Sequence, residues 1–286
     1  MYLQFRNIIL VLLLFHSVHV KGQLTAAQRD SIHDVELQLK NLTDSMTKGT
    51  TEHARSGALA AFNPLFYDLL DNPSTFEYSF DSLKTISVMR SPDGKLKVFT
   101  WVFIDRTAET YTYYGVVQAR KGKSKEIKRT GLVDTPYERN EADTSELYPE
   151  KWFGAVYYDI MQKKVGSTMY YLLIGWRGHT KTITRKVIDV ITLNEWGDPL
   201  FGKPVFQDEK GNYTCRHVFE FSSQAVMLLR FNHKKSAILF DHLSAPSPGL
   251  KGQYNTYGPD FTYDGYTYKK GKWLYKSNLD VKNPAQ

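Results

Sequence analysis

The chain has 286 residues, 42% apolar and 14% aromatic, and carries a formal charge of +7. Its one cysteine, Cys215, excludes an intrachain disulfide and a thiolate metal site, so a packed core must carry stability, and the apolar supply is adequate for one large β-domain or two small ones. The charge excess is modest and scattered apart from RKGKSKEIKR (120–129), which reads as a solvated hairpin tip; nucleic-acid binding would require a basic stripe interleaved with exposed aromatic residues and is not expected.

The first residues, MYLQFRNIILVLLLFHSVHVKGQ, place one cation, Arg6, before an apolar run from Ile8 to Phe15, and small or polar residues lead to Gly22. This is the layout of a secretory signal peptide (1–22) cut after Gly22. The run is about half of the ~20 residues that a membrane span requires, and no later segment is apolar enough to span as a helix. The expectation is an exported protein, periplasmic or secreted, with no transmembrane helix after cleavage.

From 23 to 75 the pattern is helical. Ile32, Val35, Leu37, Leu39 and Leu42 mark a first, weakly periodic amphipathic stretch, and Ala58, Leu59, Phe62, Leu65, Phe66 and Leu69 a second at i, i+3, i+4 spacing. Pro64 is expected to kink or restart that second helix, and Asp71-Asn72-Pro73 to stop it. From 76 to 286 the chain is rich in Val, Ile, Thr, Tyr, Phe and Trp, cut by glycine, asparagine and aspartate turns. KTISVMR (84–90) and KLKVFTWVFID (95–105) flank the turn SPDG, and ETYTYYGVVQAR (109–120) and EIKRTGLVD (126–134) form the next pair. The acidic stretch TPYERNEADTSELYPEKW (135–152) reads as an exposed loop or a covering segment.

About twelve strands with short links favour antiparallel neighbours, because a parallel pair needs a long crossover. The fold class is therefore α+β, predominantly antiparallel: two N-terminal helices followed by a β-meander, in a sandwich or curled sheet, with a β-propeller-like arrangement as the alternative. Repeats at a propeller's period of about 40–50 residues are not evident.

No Gly-x-Ser-x-Gly elbow, phosphate-cradling glycine loop or His-Glu-x-x-His is present, and no histidines stand at metal-ligand spacing. Cys215, in the strand-like run YTCRHVFEFS, reads as a buried inert thiol. The nearest thing to a motif is the stretch FDHLSAPSPGLKGQYNTYGPDFTYDGY (240–266). Asp241, His242, Tyr257, Asp260, Tyr263 and Asp264 are the candidate ligand-binding residues there: tyrosine faces suit a glycan or peptide, and Asp241, Asp260 and Asp264 are candidate oxygen donors for calcium. The competing reading is a tyrosine-rich turn between strands. A second candidate is Trp176-Arg177, which ends an apolar strand; with Trp196 it would place two tryptophans at one end of the sheet.

Tyr170-Tyr171-Leu172-Leu173-Ile174-Gly175-Trp176, Leu200-Phe201-Gly202-Lys203-Pro204-Val205-Phe206, Phe240-Asp241-His242-Leu243 and YGPDFTYDGY resemble uncharacterised exported proteins of Bacteroidetes. The resemblance implies compartment and no activity. Asp30-Ser31-Ile32, Asp44-Ser45-Met46 and Asp81-Ser82-Leu83 also look like the O-glycosylation acceptors of exported proteins in those bacteria. The functional expectation is a non-catalytic envelope binding or interaction β-domain with a protein or glycan partner. The alternative is a glycan or ester hydrolase using carboxylates of the C-terminal loop, which would have to converge in a cleft.

Overall fold

A computed structural model describes residues 24–279, so the expected leader (1–22) lies outside the described residues. Helix α1 (Ala26–Lys48) begins at a reciprocal cap: the Thr25 hydroxyl accepts from Gln28 N at 3.2 Å, and Gln28 Oε1 accepts from Thr25 N at 3.0 Å. Helix α2 (Glu52–Leu70) starts at Thr51, whose hydroxyl accepts from Ala54 N. Pro64 neither stops nor restarts it; the helix runs through, with Pro64 on its exposed side. Ser31 and Ser45 of the Asp-Ser strings lie on the exposed side of α1. No helix among the described residues is long and apolar enough to cross a membrane.

The strands in chain order are β1 (Ser87–Arg90), β2 (Leu96–Asp105), β3 (Thr110–Arg120), β4 (Ile127–Val133), β5 (Val156–Val165), β6 (Thr168–Gly178), β7 (Ile183–Leu193), β8 (Pro199–Phe201), β9 (Phe206–Gln207), β10 (Tyr213–Thr214), β11 (His217–Ser222), β12 (Leu229–Asn232), β13 (Ala237–Ser244), β14 (Gly258–Lys269) and β15 (Lys272–Lys276). They form three sheets, ordered β1-β2-β3-β4, β11-β7-β6-β5 and β10-β9-β15-β14-β13-β12, with β8 paired to β7. Among the described residues only β9 and β15 pair in parallel. The class is α+β and predominantly antiparallel, as the short links require.

Strand alternation explains how the sheets stack. In β2, Phe99 and Trp101 face Phe62 and Phe66 of α2, while Leu96 and Val98 face the middle sheet. In β6, Tyr171 and Leu173 pack toward the first sheet, while Tyr170, Leu172 and Ile174 pack toward Ile238, Phe240 and Trp273 of the third. The run YYLLI is therefore continuously apolar because its sheet is buried on both faces. Strand β5 lies beside β1 and β12, so the first strands of successive meanders neighbour one another, as the inner strands of propeller blades do. The helices cover the face of the first sheet where another blade would sit.

Residues 134–154 are a strap rather than an exposed loop. Leu147, Trp152 and Phe153 are buried, and three arginines of the middle sheet and its edge hold the backbone. Arg177 Nη1 donates to Asp134 Oδ1 (2.7 Å) and to the Gly154 carbonyl (2.5 Å). Arg185 Nη1 donates to the Tyr137 carbonyl (3.1 Å), and Arg216 Nη1 to the carbonyls of Ala142 and Ser145. Behind Arg216 stands Asp189, equally buried, which accepts from Arg216 Nε (3.1 Å), from the Tyr157 hydroxyl (2.9 Å) and from Val190 N (2.8 Å). Each of these buried arginines is paired with a carboxylate, Arg177 with Asp134, Arg185 with Glu220 and Arg216 with Asp189, although Arg177 Nε and Arg216 Nη2 find no acceptor among the described residues. The strap includes the short helix α3 (Arg139–Thr144) and fixes it against β11.

Candidate functional site

Between β11 of the middle sheet and the third sheet opens a cleft of about 570 Å³, with α3 forming part of its wall. That is within the size range of small-ligand sites. His217, the first residue of β11, projects into it. Its ring stacks on Phe219 at 4.1 Å, and its Nδ1 lies 2.6 Å from the Tyr266 hydroxyl on β14. Burial, reinforced by nearby Arg139 and opposed by Asp264, drives this imidazole down to about 3, so it is neutral near pH 7. Burial pushes the Tyr266 phenol upward, so the pair is uncharged.

Two residues before Tyr266, and by alternation on the same face of β14, stands Asp264. It is nearly inaccessible and accepts from His242 Nδ1 (2.7 Å), the Tyr275 hydroxyl and Asn278 N (3.1 Å). His242 sits at a break in the β13–β14 register, where Asp241 pairs with Tyr263 but Leu243 pairs with Pro259. The intervening residues escape the ladder, and His242 Nε2 approaches Asp260 at 3.9 Å. Burial would raise the Asp260 carboxyl, but hydrogen bonds from the Thr262 hydroxyl (2.7 Å) and amide hold it below the usual range. Phe261 in this bulge has φ 70° and is 94% exposed.

On the opposite wall Arg139 of α3 lies over the Tyr254 ring at 5.5 Å, and Tyr254 packs on Tyr257 at 5.0 Å. Arg139 Nε is buried without a hydrogen-bond partner, 3.8 Å from Asp143. Burial raises Asp143 to about 7, against the Val218 amide it accepts from and the neighbouring Arg139 and Arg216. Glu220 also lines the cleft but is tied to Arg185 through contacts of 2.5–2.7 Å.

Of the residues expected from sequence, Asp241, His242, Tyr257 and Asp264 line this cleft, and Asp260 reaches it through His242. YGPDFTYDGY is mostly strand β14, not a turn. Tyr263 is turned away by alternation from the face that carries Asp264 and Tyr266. Trp176 and Arg177 are elsewhere: Trp176 meets Tyr111 edge-on at 5.9 Å, and Arg177 is sandwiched near Tyr113 and Phe153 in its pairing with Asp134. Trp196 follows β7, whose C-terminal end pairs with the start of β6, so it lies at the opposite end of that hairpin from Trp176. The calcium donors do not assemble. Asp241 Oδ2 accepts from Leu228 N at 2.6 Å, Asp260 serves Thr262, Asp264 has three donors of its own, and no group of three or more His, Cys, Asp or Glu among the described residues is arranged to hold a metal. Cys215 is buried, with its thiol pushed up by burial and near the Thr144 carbonyl, as expected of an inert side chain. His217, Arg139, Asp143, Tyr254, Tyr266 and Tyr275 were not singled out by the sequence; an Arg and an Asp four apart in an acidic loop gave no sign that the loop is pinned across a cleft.

No family model, no curated protein and no solved structure matches the chain.

Proposed function

We propose that the chain is an exported, non-catalytic binding module of the cell envelope, and that this cleft takes a hydroxyl-rich ring such as a glycan unit. The observation that carries the reading is the latch at Asp264. One buried carboxylate holds His242, Tyr275 and the Asn278 backbone in place beside the rings of Tyr254, Tyr257 and Phe240. Fixed donors and acceptors among aromatic faces suit a polar ring with two apolar sides, and pre-set side chains reduce the ordering cost of binding. The carboxylates supply a second support. Asp241, Asp260 and Asp264 are each occupied by hydrogen bonds from their own chain, which favours a scaffold over the proton exchange that hydrolysis needs. Export rests on the leader pattern of residues 1–22.

The test is thermal unfolding of the protein with chitotriose, maltotriose, cellotriose and xylotriose. A ligand that binds only the native state raises the melting temperature, with about 2.7 kcal/mol of stabilisation at a hundredfold excess over its Kd. A shift that Tyr254→Ala removes supports the reading. Absence of a shift with every sugar rejects a neutral glycan as the ligand of this cleft and moves the search for its occupant to protein partners.

A further inference from the structure

A second concavity, of about 970 Å³, lies far along the chain from the cleft residues, where the start of α1 and the short 3-10 turn Pro73–Phe76 meet the two hairpin tips of the first sheet. Arg90 and Arg120 share one carboxylate there. Arg90 Nη2 donates to Glu77 Oε2 at 2.7 Å and Arg120 Nη2 to Glu77 Oε1 at 2.5 Å. Both guanidinium groups also lie over the ring of Phe76, at 5.1 and 4.8 Å. Stacking and a shared acceptor hold two like charges side by side, and most of their donors remain unspent among the described residues. Lys123 and Lys125, on the tip that reads RKGKSKEIKR, extend the cationic wall. Among the described residues that line the groove, Glu77 and Asp93 are the acids set against these four cations, and both are engaged: Glu77 by the two arginines, and Asp93 by the Tyr171 and Ser91 hydroxyls.

We propose that this groove binds an acidic polysaccharide, with Arg90 and Arg120 fixing one anionic group and Lys123 and Lys125 tracking the next along the chain. The chemistry separates this partner from two others. Nucleic-acid strands are held by exposed aromatic platforms, but the groove's aromatic ring, Phe76, is fully buried beneath the guanidinium groups. Attachment to a membrane surface uses apolar anchors, but none of the large exposed apolar side chains of the described residues lines the groove. A single small anion would not need cations spread over two hairpin tips.

The experiment is calorimetric titration of the full chain with polygalacturonate, at about 50 mM and about 300 mM salt, since release of condensed counterions makes such binding salt-sensitive. The expected result is binding that weakens with salt, no binding of neutral dextran, and a roughly tenfold loss of affinity in the Lys123→Glu, Lys125→Glu double variant at unchanged melting temperature. Both lysines are exposed, so the double variant leaves the core intact. The proposal is overturned if polygalacturonate fails to bind at low salt, if the double variant binds equally well, or if phosphatidylglycerol vesicles or single-stranded DNA are bound more tightly than polygalacturonate. Tyr254→Ala leaves this binding unchanged, which separates it from the cleft.

Discussion

His217 Nδ1 lies 2.6 Å from the Tyr266 hydroxyl, so a neutral imidazole of the middle sheet is hydrogen-bonded to a phenol of the third at the floor of the cleft. The native imidazole takes a proton only near pH 3, against an ordinary value of 6.5. Between those limits the unfolded chain binds more protons than the folded one, so stability is lost as pH falls from 6.5 toward 3. The contribution is up to about 1.4 kcal/mol per pH unit. Urea midpoints of the native protein and His217→Gln at pH 7, 5 and 4 check this: Asp143, raised to about 7, contributes the opposite slope in both proteins, so the difference between them is the readout, and it should shift in favour of the variant as pH falls; a difference that stays constant with pH would contradict it.

The Arg216–Asp189 pair is fully buried and anchors the strap. Replacing Asp189 with Ala strands the Arg216 charge and removes the acceptor for Tyr157, and is expected to cost about 3–5 kcal/mol. Denaturant unfolding measures the loss. Limited proteolysis should cut first within 134–154, because Arg216 also holds the Ala142 and Ser145 carbonyls. A loss below about 1 kcal/mol would mean the network relaxes around the gap.

The helices were legible because their signals are local: the i, i+3, i+4 spacing of Ala58, Leu59, Phe62, Leu65, Phe66 and Leu69 needs no distant partner. The strands were legible for the same reason, although the strand-like run YTCRHVFEFS divides in two where the chain passes between sheets. Part of the cleft was legible because Asp241, His242, Tyr257 and Asp264 fall in one stretch. Arg139 and His217 meet them only through the strap and the stacking of two sheets, which no short window encodes. Arg177 misled because a Trp-Arg-Gly at a strand end reads as exposed, whereas the strap closes over it.

Gly265 has a packing reason in the motif YDGY. A Cβ there would stand 2.3 Å from the Ile238 carbonyl oxygen and 2.7 Å from Leu279 Cδ1. Backbone cannot yield as a side-chain tip can, so Gly265→Ala is expected to cost about 1–3 kcal/mol by overpacking. Gly131→Ala, where no atom stands within 4 Å, is the control and should be close to neutral. Melting temperatures of the two variants make the comparison; equal shifts would show that β14 moves freely at this point.

Asp264→Asn tests the latch without emptying it. The amide keeps the volume but offers one acceptor oxygen where the carboxylate serves His242, Tyr275 and Asn278. At least one of those bonds is lost, and an amide hydrogen then faces a donor, so the variant should lose about 1–3 kcal/mol of stability. Its decisive effect is on binding. If the latch presents His242 and Tyr275 to a ligand, the melting shift produced by whichever of the four trisaccharides binds should shrink to a small fraction in Asp264→Asn, measured relative to the variant's own unliganded temperature. Asp260→Asn, at the rim with its hydrogen bonds spent on Thr262, should keep most of the shift. Equal shifts in the native protein and Asp264→Asn would place the ligand away from the latch, and the cleft would then be a seam between sheets and not a site.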